Sequence, residues 1–131
     1  MKIVATSDTH FPLDIKDLSM FPKGDVLIHC GDIMFTGEAG EWDALAKSMY
    51  ALQYQNKFLV PGNHDRYIEE YGQLSTNEMY VLGGNTDIVL PREPFRVLPN
   101  GMRALFIPYV TGLPGWAFNE EEQWILKWIM G

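Results

Sequence analysis

Histidine is scarce in this chain of 131 residues: there are three, at positions 10, 29 and 64, and none follows His64. Cysteine is scarcer still. Cys30 stands alone, so no intrachain disulfide can form and a reducing cytoplasm is the expected setting. No apolar run approaches the roughly 18–20 residues of a membrane span, and the opening Met1-Lys2-Ile3-Val4-Ala5-Thr6 is interrupted by Asp8 too soon for a signal peptide. Basic residues are in deficit, with 10 Lys and Arg against 17 Asp and Glu and a net charge of −7. A general nucleic-acid binder needs a basic surface to neutralise phosphates, so that class is excluded, as is a membrane partner. Internal repeats, low-complexity tracts and interdomain linkers are also lacking.

What is there is ordinary globular composition, 47% hydrophobic and 21% charged, at a length that predicts one domain. Apolar runs of strand length alternate with helical patterns, the mark of layered α/β construction. Strands are expected at 2–6, 25–28 and 57–60. Trp42, Leu45, Ala46, Met49 and Leu52 recur at three- and four-residue spacing, which predicts an amphipathic helix over 38–54. A short helix is expected at 67–71. From residue 79 the runs 79–82, 87–90, 95–98 and 103–107 are separated by Gly-, Pro- and Asn-rich turns and read as an antiparallel meander. The last element is a helix with Asn119 as N-cap, Glu122 at capping-box spacing, an apolar face of Trp124, Ile125, Trp128 and Ile129, and Gly131 as its cap glycine.

Three short segments place oxygen and nitrogen donors directly after the first three strand patterns: Ser7-Asp8-Thr9-His10, His29-Cys30-Gly31-Asp32 and Pro61-Gly62-Asn63-His64-Asp65. Asp8 and His10 flank Thr9, so in extended geometry they project to the same side and can hold one metal together. Gly31 permits the sharp turn that brings the Asp32 carboxylate inward. Asn63 offers an amide oxygen that ligates without adding charge beside two carboxylates. Taken singly, each segment reads as a turn or a helix cap. Together, delivered from neighbouring strand ends, they suit two divalent ions such as Mn, Fe, Zn or Mg, which a shared carboxylate holds about 3.5–4 Å apart. His29 lies inside a strand pattern and reads as a core histidine or a support for the ligands. Cys30 reads as a small buried hydrophobe, with no activating partner to make it a nucleophile. Trp116, Trp124 and Trp128 are core packing or pocket walls, and Arg66 and Arg92 are surface residues.

Asp-x-His, Gly-Asp and Gly-Asn-His-Asp, in that order, resemble the motifs of the calcineurin-like metallophosphoesterase superfamily. The closer similarity is to the small metallophosphoesterase-domain proteins, and Trp116-Ala117-Phe118-Asn119 is similar to a segment of that subgroup. The resemblance covers essentially the whole chain. It implies an α/β fold, the metallophosphoesterase-type αββα sandwich, of which this chain supplies one sheet and part of the other. It implies metal ligands at Asp8, His10, Asp32 and Asn63, with Asp32 bridging the two ions, and a phosphate ester held by Asn63 and His64. Hydrolysis of a phosphodiester or phosphomonoester by a metal-activated hydroxide follows, with His64 protonating or stabilising the leaving oxygen. Asp65 is grouped with His64 as the catalytic pair. Its carboxylate either accepts from the His64 imidazole and sets its tautomer or caps the helix near Tyr67.

The family pattern continues with a Thr-His or Gly-His strand end and a Gly-His-x-His motif, and this sequence contains neither. The expectation is a single phosphoesterase domain over 1–131, truncated at its C-terminus, with the second metal weakly held. The alternatives are a catalytically impaired phosphate- or protein-binding module and a half-enzyme completed by another chain or by a homo-oligomer.

Overall fold

The computed structural model describes residues 1–10, 19–71 and 85–131. Four strands, β1 (Ile3–Thr6), β2 (Val26–Cys30), β3 (Asn56–Val60) and β4 (Thr86–Ile88), form one sheet in the order β1-β2-β3-β4. All three pairings are parallel. Thr6 pairs with His29 and His29 with Leu59, so these strands leave the sheet side by side and their next residues emerge along one edge. That edge, at the carboxyl ends of parallel strands, is where α/β proteins place their ligands.

Pleating divides the sheet residues between two apolar clusters. One face carries Val4, Leu27, Leu59 and Ile88 and packs on Trp42, Leu45, Ala46 and Met49 of helix α1 (Trp42–Ala51). The other carries Val26, Phe58 and Val60 and packs on Leu98 and Phe106. Those two residues flank an antiparallel pair, β5 (Phe95–Val97) and β6 (Arg103–Leu105). Helix, parallel sheet and second small sheet thus form the successive layers expected of the N-terminal portion of a metallophosphoesterase sandwich.

The expected meander is corrected at its second run. Residues 86–88 join the parallel sheet, because Ile88 and Val89 are buried in opposite clusters and Val89 N–H donates to the Leu59 carbonyl. Among the described residues only β5 and β6 are antiparallel; the expected strand 79–82 lies outside them. The second sheet is tied to the first by Arg96, whose guanidinium forks onto Asp87, Nε to Oδ2 and Nη2 to Oδ1. Arg96→Ala is expected to cost about 1–2 kcal/mol in urea unfolding, the pair being partly solvated. An effect below about 0.5 kcal/mol would show that apolar contact alone holds the hairpin.

Helix α1 is shorter than the 38–54 pattern. Residues Ala39–Glu41 form a 3-10 turn, since the Glu41 carboxylate accepts the N–H groups of Phe35, Thr36 and Gly37 and holds the preceding loop out of the helix. At its other end Lys57, 1% exposed, donates through Nζ to the carbonyls of Met49 and Leu52. A cation at a helix C-terminus meets both the unpaired carbonyls and the helix dipole. Burial lowers the Lys57 pKa. The short helix is α2 (Arg66–Tyr71) and the last is α3 (Glu122–Met130).

Asn119 is not the cap of α3. Glu121 occupies that position in extended conformation, while the Asn119 side chain accepts from Leu113 N–H. Gly131 closes the helix at φ 70°, with its N–H on the Lys127 carbonyl. Trp124 and Trp128 both pack edge-on to Tyr109, with centroids 5.1 Å away. Cys30 is exposed, contrary to expectation. It points to the face that carries the second sheet, but at the β1 side, where Ile3 and Ala5 are exposed too.

Candidate metal centre

Asp8, His10 and Asp32 each offer a ligand atom, and these atoms lie within 4.8 Å of one another. One divalent ion bound at about 2.0–2.2 Å needs donors no more than about 4.4 Å apart, so closure by a few tenths of an ångström completes the grip. The three residues stand in left-handed backbone, not in the extended geometry read in the sequence. Asp8, His10 and Asp32 have φ of 55°, 49° and 52°. Three non-glycine residues in the left-handed region cost on the order of 1–3 kcal/mol each, and such strain collects at functional sites. Backbone bonds hold it: Asp8 N–H donates to the Gly31 carbonyl at 3.0 Å and His10 N–H to the Asp32 carbonyl at 3.2 Å.

The third strand end locks against the second. A Cβ on Gly62 would sit 2.4 Å from Asp32 Oδ1 and 2.5 Å from Asp32 N, so only glycine fits. His64 N–H donates to Asp32 Oδ1 at 3.1 Å. Asp65, fully buried, accepts from Gly62 N–H and Met34 N–H at 2.7 Å each and from Ile33 N–H at 3.2 Å. Burial pushes its carboxyl up to about 6, against these amide donors, which favour the ionised form, and with a smaller upward push from Asp32. Its side chain therefore takes neither role read from the sequence. It clasps two loops together, while its backbone carbonyl accepts from Ile68 and Glu69 at the start of α2.

Two carbonyls set the imidazoles. His10 Nδ1 donates to Met34 O at 3.1 Å, and His64 Nδ1 donates to Phe35 O at 2.7 Å. A carbonyl only accepts, so each ring presents Nε2 as its lone-pair nitrogen, the arrangement that fits a metal ligand at His10 and a proton carrier at His64. The rings meet at 4.8 Å between centroids. Asn63 is half-buried between Gly62 and His64, at the same edge of the sheet. His29 is fully buried one layer behind, with Nε2 2.7 Å from Thr9 Oγ1. Burial brings its pKa down to about 4, with a smaller upward push from Asp8 and a downward one from His10, which keeps it neutral.

Glu41 supports the site although no signal in the sequence marked it: by holding residues 35–37 it fixes the loop whose carbonyls orient both imidazoles. Arg66 and Glu69 are similar. Arg66 Nη2 donates to Gly115 O at 2.9 Å and Glu69 Oε1 accepts from Phe118 N–H at 2.9 Å, which draws a distant loop against His64.

The calcineurin-like phosphoesterase family model matches residues 1–126, and the chain belongs to that family of metal-dependent phosphoesterases. The UPF0046 protein C25E10.12 of Caenorhabditis elegans is 33% identical over 79 residues, covering 60% of this chain and 28% of that protein. Metallophosphoesterase domain-containing protein 1 of Homo sapiens is 36% identical over 64 residues, covering 49% of this chain and 19% of that protein. The matched part thus spans less than a third of either relative's length. Among the described residues no helix is long and apolar enough to cross a membrane.

Proposed function

We propose that this chain binds divalent metal through Asp8, His10 and Asp32 and uses it to hydrolyse a small phosphate ester in the cytoplasm. The observation that carries the reading is the convergence of those three donors within 4.8 Å at the carboxyl edge of the sheet. Asp32 and Asn63 are the residues that would hold a second ion, and Asn63 and His64 those that would hold the phosphate. A divalent ion bound there supplies Lewis acidity to a phosphoryl oxygen and acidity to a coordinated water. The chain's own part is to orient: Met34 and Phe35 carbonyls aim the imidazoles, and Asp65 holds the two ligand loops in register. His64, as the imidazolium with Nδ1–H held on the Phe35 carbonyl, delivers its Nε2 proton to the leaving oxygen and is left neutral with its lone pair toward the site.

A second reading rests on one feature of the sequence. No histidine follows His64 within these 131 residues, so any further imidazole donor to the second ion comes from outside them. Full activity then requires donors from outside these residues, or the protein serves as a phosphate-binding module.

Protein purified without chelator is expected to hold about one equivalent of Mn, Fe, Zn or a similar ion by elemental analysis. Asp32→Ala should empty the site more fully than Asn63→Ala, because it removes charge together with a shared ligand. With added Mn, hydrolysis of a bis-aryl phosphate by the same sample should be slow, well under the order of 10 per second of a typical enzyme. No retained metal after dialysis against excess Mn would overturn the assignment. Rapid turnover would exclude the second reading.

A further inference from the structure

Four rings stand in file across the mouth of the site. Phe35 lies edge-on to His10 with centroids 5.8 Å apart, His10 meets His64 at 4.8 Å, and His64 meets Trp116 at 4.9 Å. The two inner rings are imidazoles of the site. The outer two, a phenyl ring and an indole, are left open to solvent, with Phe35 61% and Trp116 46% exposed. Large exposed aromatics beside a site for a small anion call for a partner that is itself partly apolar.

The placing of Trp116 is built. Residues 110–120 close on themselves through Val110 N–H to Phe118 O, Glu120 N–H to Val110 O and Leu113 N–H to Asn119 Oδ1. Ala117 and Phe118 plug this loop into the core cluster that contains α1. Arg66 and Glu69, on the helix that follows His64, clamp it through Gly115 and Phe118. A residue placed merely to fill the core would not remain 46% exposed.

We propose that Trp116 is a specificity-determining residue, the wall of a subsite for a flat aromatic group carried on the phosphate ester. The inference rests on the phosphoesterase reading above and names its substrate class. With the phosphoryl group at Asp8, His10 and Asp32 and the leaving oxygen beside His64, the organic group departs on the His64 side. There it meets the exposed indole, and ring-on-ring contact selects it over an alkyl group of equal charge.

The test uses the full chain with Mn and two phosphonates that cannot be hydrolysed, phenylphosphonate and methylphosphonate, titrated by calorimetry. Phenylphosphonate is expected to bind about threefold to tenfold more tightly. Trp116→Leu, which keeps an apolar filler without the flat ring, should abolish that ratio and leave methylphosphonate affinity within about twofold. Trp116→Phe should retain most of the ratio, which shows that the loop still folds. An undiminished ratio in Trp116→Leu, or equal binding of both ligands to the native protein, overturns the inference while the phosphoesterase reading stands. Failure of the metal-loaded protein to bind either phosphonate overturns that reading and the inference with it.

Discussion

Asp65→Ala is expected to be severely destabilising, by about 3–5 kcal/mol. The carboxylate is the acceptor for Gly62, Ile33 and Met34 N–H groups, all buried with it. Truncation leaves three amide donors with no acceptor, and each unsatisfied donor costs on the order of 1–3 kcal/mol, part of which entering water recovers. Asp65→Asn should recover only part of the loss. Its single acceptor oxygen can serve Met34, but its NH2 then faces the N–H groups of Gly62 and Ile33, donor against donor. Urea unfolding at neutral pH checks both variants. A cost below about 1 kcal/mol for Asp65→Ala would mean that the loops carrying Asp32 and Asn63 are held by something else. Metal retention should fall in step with stability, since the same clasp keeps those loops in register.

The second large effect is a pair of opposed proton linkages. His29 is held neutral by burial, with its pKa lowered from 6.5 to about 4. Between those values the unfolded chain binds a proton that the fold refuses, so this residue adds stability as pH rises and removes it as pH falls. Asp65 runs the other way. Its pKa is raised from 3.8 to about 6, so in that window the fold binds a proton that the unfolded chain does not, and stability falls as pH rises. Each slope is about 1.4 kcal/mol per pH unit, and from pH 4 to 6 the two nearly cancel. In chelator, His29→Gln should unmask the Asp65 slope, losing about 2 kcal/mol from pH 4 to 6. Asp65→Asn should show the mirror image, gaining stability over the same range. Urea midpoints measured at half-unit steps of pH decide it. Parallel profiles for native protein and His29→Gln would show that His29 titrates normally in the fold.

Much of the site was legible because its signals are local. An apolar run followed by Asp-x-His, by Gly-Asp or by Gly-Asn-His-Asp is a strand and its exit turn, and three such exits in one α/β chain place their donors along one sheet edge. The elements read wrongly were those whose local pattern competes with a distant partner. Residues 86–88 carry strand residues either way; that they add to the parallel sheet depends on Leu59, far back in the chain. Asn119 has the composition and spacing of a cap, yet Leu113 claims its side chain first. Cys30 has the small apolar character of a core residue, but it ends β2 on the face that the second sheet leaves uncovered.

The sequence by itself determined the family, the order of the strands and helices, and the candidate donors Asp8, His10, Asp32 and Asn63, because residue type and spacing along the chain carry that information. The tertiary structure alone decided how those donors are held. Left-handed turns at Asp8, His10 and Asp32 are stable only when loops from different strands bond across them. The Asp65 clasp, the Lys57 cap on α1 and the seating of Trp116 beside His64 likewise join atoms that local pattern does not connect, for Trp116 through bonds spanning 49 residues. A buried polar group must find whichever partner the packed chain brings within hydrogen-bond reach, and that partner is chosen in space.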